Sequence, residues 1–427
     1  MKYLLSIILL ISLTARAQEN IQFPSITLVN SIEYIDTSFK DNHPGCGFLI
    51  DIGDEILAVT CKHVLWENKP LNVSTVNIND QITSWKMFVR NDQSQYVVLD
   101  KLINNNPSEK IGEWNTDKDY LVFTVKENHS NVKALKLASE RAHSNDTIYK
   151  IGWSFKDKEV PQQTYISKIH KYLGPSILIQ DLIRSFQAGT SGSPVINKKQ
   201  ELLGIVSTWK YDNETQAWYG APCSTDYLWE IIYQHWLQKN NQQKSFNSFN
   251  SFVDDYKKTN NSGLVISTNL LTNLFFDNWL RNNNKEIGTI ADFEIFKNTA
   301  ENKLNIKLEN DSYIINNLHF NEWEISYLKN ESSIEYLKQK ELKFTCDFMT
   351  LSMFALELIN SDQLEKALEL MKFTVTKFSN NGQVYAFLAD VYSAKGETEK
   401  ARINYEKCLQ YYPGYPYAKN KLKDLMK

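Results

Sequence analysis

No block of like charge runs along the chain. Over 427 residues, 47 Lys and Arg stand against 50 Asp and Glu, a formal charge of -3, which excludes an electrostatic nucleic-acid binder. After Leu13 no apolar stretch approaches the ~20 residues that a membrane-spanning helix requires, so no stable membrane span is expected. Cysteine is scarce, with Cys46, Cys61, Cys223, Cys346 and Cys408 as the whole set. An odd number leaves at least one thiol unpaired, and none follows the first apolar run where a lipoprotein would need it. Aromatic residues are not scarce: at 12% they exclude wholesale disorder, and a chain of this length divides into two or three globular units.

The first 17 residues read as an export signal. Lys2 supplies the positive start, residues 4–13 are apolar apart from two serines, and Ala15-Arg16-Ala17 fits the small-x-small cleavage rule. The mature protein is expected to begin near Gln18 and to reside in the periplasm or outside a bacterial cell, a compartment that permits disulfides.

From residue 21 to about 222 the chain is a series of short β-branched and aromatic runs separated by Asn, Asp, Gly and Pro, among them residues 47–52, 56–60, 120–125, 147–152, 164–169, 194–196 and 203–208. A dozen such strands predict an all-β sandwich or barrel. Helical periodicity over 224–237 then closes the β unit. The polar stretch 239–263 reads as a linker carrying one amphipathic helix. Residues 264–345 read as a mixed region, with a helix over 270–280 and strands over 304–308 and 313–315.

The tail matches itself at a shift of 34 residues: Leu364-Glu365-Lys366-Ala367 aligns with Thr398-Glu399-Lys400-Ala401, Met371 with Tyr405 and Val375 with Leu409. Small residues recur where two helices must approach, and large ones where they fill the groove. This period and pattern resemble the tetratricopeptide repeat over residues 346–427, which implies a helix-turn-helix array with a surface for a protein partner.

Gly189-Thr190-Ser191-Gly192-Ser193-Pro194 is the densest local signal. A serine between glycines on a tight turn exposes its hydroxyl, and the N–H groups of Gly189 and Ser191 are free to converge on a developing oxyanion. Such a nucleophile needs a base and an orienting acid. His63 follows a strand-like run, residues 56–60, which would hold an imidazole rigidly at a solvent-facing strand end. Asp119 precedes another apolar strand, and Asp117 is its rival.

These stretches, together with Gly45-Cys46-Gly47-Phe48, resemble in His, Asp, Ser order the landmarks of chymotrypsin-like (trypsin-like) serine peptidases, with a closer likeness to bacterial HtrA-type members. Leu203-Gly204-Ile205-Val206-Ser207, Tyr219-Gly220-Ala221-Pro222 and Ile151-Gly152-Trp153 extend the resemblance over residues 40–237. It implies two six-stranded β-barrels within residues 18–238, with His63 as general base, Asp119 as orienting carboxylate, Ser191 as nucleophile and Gly189 and Ser191 as the oxyanion hole. Ser207 would bind substrate backbone, and Ser185 stands where the family sets primary specificity. No acidic residue stands there, so a neutral side chain before the scissile bond is expected rather than Lys or Arg. No metal or organic cofactor is called for.

Departures from the family pattern are visible. Leu121 is large where the family has a small residue, and the helical tail replaces a PDZ domain. Lys62 beside His63 is expected to face solvent, because pointing inward it would depress the imidazole pKa. No trypsin-type activation site stands near the amino terminus. Cys46 and Cys61 are read as buried thiols in preference to a disulfide, and the set His43, Cys46, Cys61, His63 as a poor zinc site, because zinc there would occupy the base. An α/β-hydrolase is excluded: Ser193 stands where its motif needs glycine, and His63 precedes the serine. The expected function is an exported serine endopeptidase; the alternative is a noncatalytic adaptor built on an inactive peptidase fold.

Overall fold

The structure, a computed structural model, describes residues 22–37, 45–67, 75–78, 81–111, 118–156, 160, 162–182, 187–212, 214–261, 264–285, 287–308, 311–339 and 348–425. The expected signal peptide, His43, Asp117, Ser185 and Cys346 lie outside these residues.

Fourteen strands are described, and twelve of them close two barrels. The first joins β1 (Thr27–Tyr34), β2 (Cys46–Asp51), β3 (Ile56–Thr60), β5 (Ile82–Val89), β6 (Asp92–Leu102) and β8 (Leu121–Asn128) in the order β1-β2-β3-β8-β6-β5. The second joins β9 (Thr147–Gly152), β10 (Gln163–Leu173), β11 (Ser176–Asp181), β12 (Pro194–Ile196), β13 (Leu202–Asp212) and β14 (Ala217–Ser224) in the order β10-β11-β14-β13-β12-β9. A small pair, β4 (Thr75–Val76) with β7 (Asn106–Lys110), stands apart. The described strand pairs are antiparallel, so side chains alternate between the barrel interior and its outside. Ile148, Ile169, Ile177, Ile179, Val195 and Leu203 fill the second barrel.

The two barrels are tied by buried hydrogen bonds. Thr27 Oγ1 donates to the Ile151 carbonyl at 2.5 Å, and the Tyr120 hydroxyl reaches the carbonyls of Cys223 and Ser224, each at 3.0 Å. Tyr120 follows Asp119 directly, so this second tie holds the acid's segment between the barrels.

Helices follow the second barrel: α1 (Val64–Glu67) lies within the first, then come α2 (Asp226–Lys239), α3 (Phe246–Asn260), α4 (Thr268–Leu271), a π-helical turn (Thr272–Phe276), α5 (Asp277–Asn282), α6 (Ile290–Leu304) and α7 (Ser312–Leu328). Residues 239–263, expected as a linker carrying one amphipathic helix, contain α3, whose Phe249, Phe252 and Tyr256 are buried against Trp229 and Tyr233 of α2. The strands expected over 304–308 and 313–315 are absent. The first stretch is the end of α6 and the coil after it. The second is the first turn of α7, because Asp311 caps it by accepting from the N–H groups of Tyr313 and Ile314; a capped N-terminus overrides the β preference of two adjacent isoleucines.

The remainder, α8 (Ile334–Gln339), α9 (Phe348–Asn360), α10 (Leu364–Lys377), α11 (Gly382–Ala394), α12 (Thr398–Tyr411) and α13 (Pro416–Leu425), is a helical C-terminal region. Its own apolar cluster includes Trp323, Ala367, Met371, Ala389 and Tyr405, and Tyr211 at the outer end of β13 packs against it.

Candidate active site

His63 sits in the turn between β3 and α1, and Asp119 lies just before β8. Because β3 and β8 are neighbours, with Thr60 opposite Leu121, the two side chains are delivered to the same barrel rim. The His63 Nδ1 lies 2.6 Å from Asp119 Oδ2, and the His63 backbone N–H donates to Asp119 Oδ1 at 2.9 Å. Ser207 of β13 donates its hydroxyl to the same Oδ2. The carboxylate is buried, whereas about a quarter of the imidazole remains exposed, 23%. When the ring is neutral, the Nδ1 proton is held by Asp119 and the lone pair lies on Nε2, the form a general base needs. The bulk of Leu121 has not displaced the carboxylate, since its side chain is buried in the barrel core.

Burial alone would lower the His63 pKa, but the Asp119 charge and the contacts with Asp119 and Cys61 outweigh it and hold the value well above its usual one. Burial likewise pushes Asp119 upward, and the His63 and Ser207 contacts overcome this and leave its pKa lowered. The pair therefore favours imidazolium beside carboxylate.

The Gly189–Ser193 turn leads into β12. Gly189 and Gly192 take φ values of 99° and 83°, a region only glycine enters freely. At Gly192 there is also no room: an added Cβ would lie 2.1 Å from the Cys46 carbonyl oxygen. The turn is docked onto the first barrel by the Cys46 N–H, which donates to the Ser191 carbonyl at 2.7 Å. Among the described residues, neither the N–H of Gly189 nor that of Ser191 has a protein acceptor, and the Ser191 hydroxyl makes no hydrogen bond. The His63 Nε2 lies 3.8 Å from Cys61 Sγ. His63, Asp119 and Ser207 are thus brought together by hydrogen bonds, while Ser191 is held on a neighbouring turn without a bond to the imidazole.

Cys46 and Cys61 are free, buried thiols. Burial pushes the Cys61 pKa up to about 11, so it is a neutral S–H at pH 7. The Cys46 thiol lies 3.5 Å from the Gly189 carbonyl and 3.8 Å from that of Trp153. Cys61, His63 and Asp119 offer ligand atoms within 4.8 Å of one another, but the carboxylate and Nδ1 are already engaged with each other.

Lys62 corrects the expectation that it faces solvent. It is buried, and its Nζ pairs with Glu109 at 2.6 Å, while the Tyr227 hydroxyl donates to the other Glu109 oxygen at 3.0 Å. The cation is drawn inward by this carboxylate from β7, a partner 47 residues away that local sequence does not announce.

A family model described as trypsin-like peptidase domain matches residues 45–205. Among solved structures, similarity extends to the Rv3671c protease from M. tuberculosis in its active form, at 14% identity over 49% of this chain and 80% of that one, TM-score 0.33. The serine endoprotease from Yersinia pestis is 16% identical over 48% of this chain and 61% of its own, TM-score 0.32. The HtrA-type protease AlgW with decapeptide is 15% identical over 49% and 64%, TM-score 0.32. No curated protein matches. The residues that this trypsin-like peptidase model matches lie within two closed six-stranded barrels, which a helical C-terminal region follows.

Proposed function

We propose that the protein is an exported serine endopeptidase that hydrolyses peptide bonds through Ser191, His63 and Asp119. The observation that carries this reading is the clamp on Asp119, which accepts from the His63 backbone, the His63 ring and Ser207 at once; so firm a hold on a buried acid orients an imidazole for proton transfer. In the reaction, Nε2 removes the Ser191 proton as the hydroxyl attacks the substrate carbonyl. The Gly189 and Ser191 N–H groups stabilise the oxyanion, and His63 returns the proton to the leaving amine. Water then hydrolyses the acyl-enzyme with His63 again as base. Substrate binding closes the Ser191 to His63 bond by displacing the neutral Cys61 thiol, a weak partner; catalytic hydrogen bonds commonly tighten only in the substrate complex. A neutral residue at Ser185 favours a neutral side chain before the scissile bond. The tail, read as tetratricopeptide repeats, binds a protein partner or the substrate itself.

The second reading, an adaptor that has lost its chemistry, is favoured by one observation: Nε2 faces Cys61 and the Ser191 hydroxyl is unbonded among the described residues. Treating residues 18–427 and the Ser191→Ala variant with a fluorophosphonate probe separates the two. Labelling at Ser191, located by mass analysis and absent from the variant, is expected; a folded protein that does not label favours the adaptor.

A further inference from the structure

A lysine and an aspartate are lodged in the second barrel below the nucleophile turn. Lys150 of β9 stands opposite Val195 of β12, and residues directly opposite one another share a face. Val195 belongs to the barrel's interior cluster, so Lys150 also points inward, with only 4% of its side chain exposed. Its Nζ reaches Asp181 Oδ1 at 2.6 Å and the Gln187 Oε1 at 2.6 Å. The Gln187 Nε2 in turn donates to Asp181 Oδ2 at 2.9 Å, and Ser167 donates to Asp181 Oδ1 at 2.6 Å. The amide of Gln187 thus bridges the ion pair with its oxygen on the cation and its nitrogen on the anion, which fixes its orientation.

The Gln187 backbone continues the chain of contacts. Its carbonyl accepts from the Thr190 N–H at 3.0 Å and from the Thr190 hydroxyl at 2.7 Å. The next carbonyl, of Ala188, accepts from the Phe155 N–H at 2.9 Å. These bonds fix the peptide planes on both sides of Gly189, and the next plane, which carries the Ser191 N–H, follows from Thr190, whose carbonyl accepts from the Ser193 N–H at 2.9 Å. Burying such a pair has a cost: apolar residues of similar volume often serve stability as well or better. What apolar residues cannot supply is a directional grip on a glutamine amide.

We infer that Lys150 and Asp181 are positioning residues, which hold the Gly189 and Ser191 N–H groups in register for the oxyanion by clamping Gln187. The inference rests on the peptidase reading above and deepens it. No group in the cluster touches the reacting atoms; its effect passes through the turn.

The test uses the full mature chain and a fluorophosphonate probe, with the maximal labelling rate at Ser191 and the half-saturating probe concentration measured separately, alongside thermal unfolding. Gln187→Leu leaves the ion pair whole and removes its grip on the turn. Its maximal labelling rate is expected to fall by about tenfold or more, because small misplacements of reacting groups carry penalties of that order, with half-saturation unchanged. Lys150→Met/Asp181→Leu replaces the pair by an apolar one; it is expected to unfold within a few degrees of wild type yet to label as slowly as Gln187→Leu. Wild-type labelling rates in either variant overturn the inference, as does a rate loss that merely tracks the loss of unfolding temperature across the variants. A wild-type protein that does not label at all instead overturns the peptidase reading.

Discussion

Ser207→Ala probes the acid's hold most directly. Asp119 accepts three hydrogen bonds, from the His63 N–H at 2.9 Å, from His63 Nδ1 at 2.6 Å and from Ser207. The substitution removes one of them without touching the other two. A hydrogen bond to a charged group contributes about 1.5–3 kcal/mol. For a domain of this size each kcal/mol shifts the unfolding temperature by about 2–4 °C, so a fall of roughly 3–12 °C at pH 8 is expected. The electrostatic consequence has a definite sign. Deprived of a donor, the carboxylate draws the imidazolium proton more strongly, and the acid limb of Ser191 labelling moves to higher pH. Thermal unfolding and the pH dependence of fluorophosphonate labelling read the two effects on the same samples. An unchanged unfolding temperature together with an unmoved acid limb would refute the reasoning, because both follow from one bond.

In the wild-type protein, His63 must be neutral to act, so its raised pKa places the acid limb of labelling above pH 6.5, the ordinary histidine value; a limb at or below 6.5 contradicts the Asp119 pairing. The same shift makes stability run the other way: the imidazolium contribution is fully present below pH 6.5 and is lost as pH rises through the folded-state pKa, so the unfolding temperature should decline where labelling climbs. Lys62→Met strands Glu109 without its cation at a site where both side chains are largely buried, 6% and 12% exposed, and should cost about 3–5 kcal/mol; denaturant unfolding that matches wild type would show that the pair does not form in solution. Gly192→Ala meets the Cys46 carbonyl and an unfavourable φ of 83°. At least about 1–3 kcal/mol of backbone strain and loss of Ser191 labelling are expected, and a variant that labels normally would show that the turn has another shape.

The strands were legible because they are short β-branched and aromatic runs closed by turn residues, whereas the barrel order depends on long-range pairs such as β3 with β8 and β11 with β14. His63, Asp119, Ser191 and Gly189 stood out because each sits at a strand end or on a glycine-bracketed turn. The partners that give those residues their character did not. Glu109 lies 47 residues from Lys62, and Asp181 lies 31 from Lys150; a buried lysine reads from sequence as a surface one until its counter-ion is known. The amphipathic helix within 239–263 was legible from its spacing, but its Asn, Ser and Lys content made the stretch read as a linker, whereas the buried Phe249, Phe252 and Tyr256 decide packing. Ile314 and Ile315 suggested a strand because β-branched residues do so in isolation, whereas Asp311 and the helix it caps settle the matter.

The apolar interior of the barrels does not stop where the last strand ends. Phe48, Ile50 and Ile205 of the barrels belong to one continuous cluster with Trp229, Tyr233, Phe252, Phe275, Phe293 and Leu318 of the helices that follow. A truncation placed after α2 to yield a minimal enzyme would therefore strip Phe252 and Phe275 from the rings of Tyr233 and leave an oily scar on the product, prone to self-association. A cut beyond α7 would in turn strip Phe354 from Phe320, Trp323 and Tyr327 of α7, where the second cluster begins. Heating the intact molecule should then melt the barrels and the helices up to α7 as one cooperative block.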